Sequence, residues 1–229
     1  MQERYSSERT RVRRQPARGR YDAAAVHDVL DAGLFAHVAF LDRDQAYCIP
    51  MLHARVDDAV YIHGSAASRA LRVLSTGVPA CLTVTLLDGL VLARSAFEHS
   101  ANYRAAVVLG SFRRIEDPDE RLAAFEAFTN KLIAGRWGEV RAPSEQELKA
   151  TWILALPLEE ASVKARTGPP SDDDSPDAAL DVWAGVIPLR TVFGSPEPSP
   201  GLRGGIGLAP SVRRLLEADG GSSWPPPSG

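Results

Sequence analysis

The sequence predicts a mainly β protein with flanking helices, an α+β chain built on an antiparallel barrel. Short β-prone runs crowd between residues 34 and 115. They show no regular alternation with helices, which argues against a doubly wound sheet. Apolar residues at helical spacing appear at the flanks, 21–32 and 117–136, and at one strand-to-helix corner inside the β-rich region.

The elements follow in order. Val26, Val29 and Leu30 share a helical face behind Asp22, a candidate N-cap, and ahead of Gly33. From Leu34 the period changes to that of strands, with "LFAHVAFL", "AYCIPMLHARV" and "AVYIHG" separated by the turn chemistry of "DRDQ" and "DD". Ser65 stands where a helix N-cap belongs, and a helix is expected over 66–76 with Leu71 and Leu74 inward. "PACLTVTLL" and "LVLARSA" flank Asp88-Gly89, a hairpin signal, and "YRAAVVLGSFRRIED" reads as one long strand. Leu122, Phe125, Phe128, Leu132 and Ile133 mark a long helix with an acidic first turn. "SEQELKA" gives a short helix, and "TWILALPLEEASVKAR" a closing strand interrupted by Pro157.

The chain divides at about residue 168. Residues 1–168 form the barrel domain, and 169–229 form a Pro/Gly-rich extension, since 11 of the 17 prolines lie in the last 62 residues. Within it "LDVWAGVIPLR" (180–190) is too apolar to stay in solvent and is expected to dock on the barrel, whereas the end, "GGSSWPPPSG", is expected to be flexible.

Composition narrows the function. A formal net charge of −3 argues against a nucleic-acid partner, and the run "RTRVRR" reflects a chain that prefers Arg to Lys throughout. No apolar run is long enough to span a membrane, and the charged N-terminus lacks the pattern of a secretory signal, which points to the cytoplasm. Cys48 and Cys81 lie in apolar strand runs and read as buried thiols. His37 reads as a core histidine and His27 as a helix-surface one; none of the histidines and carboxylates has the spacing of a metal site.

Chemistry concentrates at "YIHGSAASRALRVL". A strand stopping at Gly64 and a helix starting behind Ser65 expose unpaired amides. Ser65 and Ser68 add hydroxyls, and the Arg69 guanidinium leans back toward the same spot, as an anion site requires. The same residues also serve as ordinary caps and terminators, and the corner alone does not separate the two readings. "EHSANYR" places His99, Asn102, Tyr103 and Arg104 at the start of a strand, and Thr83 and Thr85 put two hydroxyls on one strand face. Together they suit a phosphate, a polar chain and a flat heterocycle.

The ordered set "IPMLHARVDDAVYIHGSAASRALRVL", "TVTLLDGLVLARSAFEHSANYR", "GRWGEVRAPSEQELKAT", "ASVKARTGPPSDD" and "VWAGVIPL" resembles the pyridoxamine 5′-phosphate oxidase-like, FMN-binding split-barrel superfamily. Within that superfamily it is most similar to the branch that includes the nitroimidazole-resistance reductases. The resemblance spans roughly residues 21–189. It implies a six-stranded antiparallel split β-barrel, a homodimer with FMN at the subunit interface, and a small-molecule substrate. By the same matching Ser65, Ser68 and Arg69 hold the FMN phosphate, Pro50, Met51, His63 and Gly64 line the flavin, Thr83 and Thr85 meet its edge, and Asn102, Tyr103 and Arg104 complete the site, from either subunit. Two positions depart from the branch: Ala105 where Ser is common, and Gln45-Ala46-Tyr47 where Gly-x-Pro is common.

A bound flavin carries the redox chemistry itself, so the expected protein contribution is placement and electrostatics. The main reading is an FMN-dependent oxidoreductase, reducing a compound such as a nitro group or oxidising an amine, with His63 as the catalytic proton donor. The alternative is a flavin-binding or sensing module without turnover, or a haem-binding relative with His63 or His99 as axial ligand.

Overall fold

The structure, a computed structural model, describes residues 4–218. Ten strands and five α-helices follow in the order β1 (Gly19–Arg20), α1 (Ala23–Ala32), β2 (Phe35–Asp42), β3 (Gln45–Val56), β4 (Ala59–Ser65), α2 (Arg69–Leu74), β5 (Pro79–Leu92), β6 (Ser100–Ser111), β7 (Arg113–Arg114), α3 (Pro118–Leu132), α4 (Glu145–Ala150), β8 (Thr151–Pro157), β9 (Glu160–Arg166), β10 (Gly185–Pro188) and α5 (Pro210–Ala218). The strand pairings among the described residues are antiparallel, in the order β1-β9-β6-β5-β2-β3-β4-β8-β7, with β10 added to β5.

Two half-sheets share β3. Its residues 45–52 pair with β2 and its residues 53–56 with β4. The sheet curls until β6 faces β8 across a seam without a ladder, where Leu156 comes within 2.9 Å of the position a Cβ on Gly110 would take. Leu82, Val108, Ile62 and Leu154 fill the interior, with Val26 and Leu30 of α1 packed against it. A second, outer cluster forms where α3 lays Ala124 and Phe128 on Ala54, Tyr61 and Ile153.

Local chemistry explains the helix starts. The Asp22 and Asp117 carboxylates accept from the amides of Ala25 and Glu120. Ser144 and Glu147 close a reciprocal capping box on α4. Asp88-Gly89 is not a hairpin turn: β5 runs straight through it, and Asp88 is the extra residue of a bulge between the pairs Leu87↔Tyr103 and Gly89↔Asn102. Tertiary pairing overrides the turn signal, because Asp88 is clamped by Arg104 and the bare Gly89 admits the Ile187 carbonyl of β10. The long strand expected over 103–117 breaks at the buried Phe112 into β6 and β7. The single closing strand is two: β8 pairs with β4 and β9 with β6.

Strand parity corrects three burial expectations. Cys48 is exposed, Cys81 half-buried and His37 exposed, because all three lie on the outward face of the sheet, opposite Val38 and Leu82. In the extension, Gly185–Pro188 pairs with β5, and Pro210–Ala218 forms a helix absent from the sequence expectations. That helix is tied down where Ser211 donates through both its amide and its hydroxyl to the Glu139 carboxylate. The end expected to be flexible, 220–229, lies outside the described residues. The N-terminal arm docks on the barrel: Tyr5 is buried and donates to Asp58 at 2.6 Å, Arg4 also pairs with Asp58, and Arg9 pairs with Glu160. No helix among the described residues is long and apolar enough to cross a membrane.

Candidate functional site

The strand-to-helix corner is shorter than its sequence pattern suggests. Residues 65–68 form a turn in which Ser65 Oγ accepts from the Ala67 amide at 3.1 Å and the Ser65 carbonyl accepts from the Ser68 amide at 2.9 Å. The six-residue α2 starts at Arg69, with Ser68 rather than Ser65 as N-cap and with the Ser68 hydroxyl not engaged in capping. Ser65 therefore competes for the first amides and delays the helix by one turn. Gly64 faces inward, where Leu71 comes within 3.0 Å of the position its Cβ would occupy. Its missing side chain admits the helix instead of opening space for a ligand.

Arg69 lays its guanidinium 4.2 Å over the Tyr47 ring and lines a cleft of about 600 Å³ beside the β2–β3 turn. It has no carboxylate partner among the described residues. The free Ser68 hydroxyl and this cation are a donor set suited to a phosphate group. Tyr47, one of the two departures from the family pattern, is thus the platform that aims Arg69.

His63 lies on the outer face of β4, against Phe128 of α3, with ring centroids 4.2 Å apart. Its Nδ1 is sealed from solvent without a hydrogen-bond partner, and burial lowers its pKa. The imidazole is therefore neutral at pH 7, suited to accept or share a proton and poorly suited to act as a cationic acid.

Pro50, His37 and Thr83 form one row across β3, β2 and β5 on the outward sheet face. Thr85 follows on that face opposite Ala105, and Leu87 opposite Tyr103. The Ser-to-Ala departure at 105 thus removes a hydroxyl directly across from Thr85. Met51 points the other way and packs against the core. Asn102 is buried, with Nδ2 donating to the Gly168 carbonyl at 3.1 Å and Oδ1 accepting from Arg166 at 2.5 Å, so its amide ties β6 to the start of the extension.

Arg104 forms a bidentate pair with Asp88 at 2.8 and 3.0 Å, and this partner raises its pKa. The pair lines a second cleft, of about 670 Å³, with Thr85, Arg20 and Asp28, roofed by Pro188–Thr191 of the extension. Such a volume is in the range of cofactor sites. The sequence reading missed Arg20, Asp88 and Arg190 here; the one available signal was the docking of "VIPLR". The two clefts share no residue, so the expected flavin ligands do not meet in one pocket of a single chain. No cluster of three or more His, Cys, Asp or Glu able to hold a metal ion occurs among the described residues.

Comparison with known proteins places this arrangement. Residues 22–165 match the family model described as pyridoxamine 5′-phosphate oxidase. Among solved structures, the flavocytochrome Anf3 from Azotobacter vinelandii is 38% identical, with a TM-score of 0.85 over 91% of this chain and 97% of that one. The FAD- and haem-binding protein from Mycobacterium smegmatis is 40% identical, with a TM-score of 0.82 over 86% of this chain and 97% of that one. A proposed 5-nitroimidazole antibiotic resistance protein from Bacteroides thetaiotaomicron shares the fold at 18% identity, with a TM-score of 0.53 over 62% of this chain and 83% of that one. No curated protein matched significantly. The β-sheet with flanking helices is the split barrel, and the chain belongs to the pyridoxamine 5′-phosphate oxidase-like family.

Proposed function

We propose that this chain is a flavin- and haem-binding split-barrel protein of the flavocytochrome kind, with FAD rather than FMN as its flavin. One observation carries the reading. The two relatives near 40% identity span nearly the whole chain, leaving too few residues unmatched to exclude the extension, and their descriptions are a flavocytochrome and an FAD- and haem-binding protein. The expected FMN-dependent reductase rested on the barrel alone.

The residues fit a flavin. Ser68 and Arg69 supply a hydroxyl not used in capping and a cation without a direct carboxylate partner, in a cleft that Asp42, Arg43 and Asp44 also line. Thr85 and Arg104 supply polar groups beside the larger cleft. These two sets belong to different clefts, which supports a homodimer whose outward sheet faces meet. That face carries Phe35, Leu41 and Leu87 exposed, an apolar patch that a second copy would cover. His63, held neutral by burial, is the side chain placed to hold or pass a proton on the α3 side of β4. When bound, a flavin handles electrons singly or in pairs and a haem iron takes them one at a time, so the two together couple a two-electron donor to a one-electron acceptor.

The absorption spectrum of chain produced with adequate haem and flavin supply tests the reading. Flavin bands together with an intense Soret band, and FAD in the supernatant after denaturation, are expected. A yellow protein with FMN and no Soret band would return the chain to the reductase reading.

A further inference from the structure

Resting on the homodimer proposed above, we infer that β10 of the extension is an interface element: Ile187, beside Leu90, seats in an apolar hollow on the second copy's sheet face and so brings the larger cleft of one copy to the Arg69 cleft of the other.

The register gathers projecting side chains at one end of the outward face. Leu87 and Leu90 of β5 pair with Tyr103 and Ala101, two residues apart on β6, so the bulge at Asp88 leaves both leucines on the outward side. Ile187 pairs with Leu90 and shares its face. The three are 52%, 40% and 45% exposed in that order, an aliphatic row across two strands that gains by being covered. β10 lies beyond residues 22–165, the stretch that matches the family model, so this row is lengthened by the extension and not by the barrel.

The other end of the same face carries a hollow of about 340 Å³, walled by Leu41, Ala46, Cys81 and Leu109. Cys81 pairs with Ala39 on one side and Leu109 on the other, and it lies an even number of residues before Leu87 on β5, on the same side of the sheet. The one cation lining the hollow, Arg9, is already paired with Glu160. A cavity of about 150 Å³ takes a benzene ring, so the hollow has room for two branched aliphatic side chains. A two-fold interface uses the same patch on both copies, and the patch must therefore hold both the projection and the recess that receives it. This face does, at opposite ends, and a second copy laid antiparallel on it satisfies both at once. The clefts follow the same polarity. Leu87 and Pro188 line the larger cleft at the projecting end, whereas Tyr47 is shared by the hollow and the Arg69 cleft.

Cross-linking of the full-length chain tests this. Within one chain Ile187 sits opposite Leu90, nine residues along β5 from Cys81, roughly 30 Å away and beyond the reach of a short bis-maleimide. Ile187→Cys in a Cys48→Ser background should therefore give a covalent dimer with that reagent, and adding Cys81→Ser should abolish it. Ile187→Asp should weaken the dimer about a hundredfold in sedimentation equilibrium with an unchanged circular dichroism spectrum, while Leu122→Asp, exposed on α3 away from this face, should leave it at the wild-type value. A cross-link that persists without Cys81, no cross-link in a chain that sediments as a dimer, or an Ile187→Asp chain as dimeric as wild type overturns the placement of β10 alone. A wild-type chain that stays monomeric with its cofactors bound overturns the homodimer and this inference with it, and its spectrum reports the flavin and haem separately.

Discussion

Asp88 and Arg104 face each other across the β5 bulge, with both carboxylate oxygens on the guanidinium fork at 2.8 and 3.0 Å. The pair converts what reads as a turn dipeptide into a continuous strand, and that strand offers its edge to β10. Asp88→Ala should therefore loosen the docking of residues 185–188, with a global cost of about 1 kcal/mol because the pair is partly solvated. Amide exchange is the direct measurement. Faster exchange in 185–188 with little change in β2 and β3 is expected, and unchanged exchange there would detach the bulge from the docking.

Gly33 tests the packing of α1 on the barrel. A Cβ at this position would fall 2.2 Å from Val84 Cγ1, so the buried, β-branched Val84 or the backbone that carries it must shift. Gly33→Ala should destabilise by about 1–3 kcal/mol, although φ is −83° and the conformation itself suits any residue. Gly33→Ala combined with Val84→Ala should recover part of the loss in urea unfolding; no recovery would mean the clash is not with Val84.

The buried polar knot at the end of α1 gives a pH signature. His53 is pushed down to about 4, mainly by burial and further by the Lys131 ammonium, which itself donates to the Leu30 and Asp31 carbonyls. Above pH 6.5 the imidazole is neutral folded and unfolded. As pH falls from 6.5 to 4 only the unfolded chain takes up the proton, so stability drops by about 3 kcal/mol over that window. Lys131→Met should lift the folded pKa and shrink the acid-induced loss, at the expense of a capped helix end at neutral pH. Lys131, pushed down to about 8 by burial, adds a rise in stability as pH climbs from 8 to 10.5. Urea melts at pH 7 and 4.5 on both chains decide the first effect, and equal slopes with pH would refute it.

Arg69 should hold flavin without holding the fold. Arg69→Ala is expected to weaken flavin binding about tenfold to a hundredfold, the worth of a charge-assisted contact, with the apo melting temperature unchanged. Arg72, which donates to the Ala66 carbonyl, serves as the comparison: Arg72→Ala should disturb the turn and leave the phosphate contact in place. Full flavin occupancy in Arg69→Ala would remove the corner from the site.

Much of this was legible in the residues. Strand periodicity located the barrel, Asp22 and Asp117 marked their helices, and the corner at Ser65–Arg69 stood out because polar residues interrupt two apolar patterns. What could not be read was set by pairing across the chain. Whether Asp88-Gly89 turns or bulges depends on Arg104 and β10, both remote in sequence. Cys48 and His37 looked like core because alternation identifies two faces without saying which one a partner covers. That the bare α-carbon of Gly64 makes room for Leu71 depends on how α2 packs on β4, which the sequence pattern does not show. The expected site residues are spread over two clefts that share no residue, a separation that periodicity along one chain does not reveal.

Native mass spectrometry of the full-length chain, purified with its cofactors, reports subunits and cofactors in one spectrum. A dimer carrying one FAD and one haem per chain is the expected species. A bare monomer, or a dimer whose mass accounts for flavin and nothing more, would contradict it.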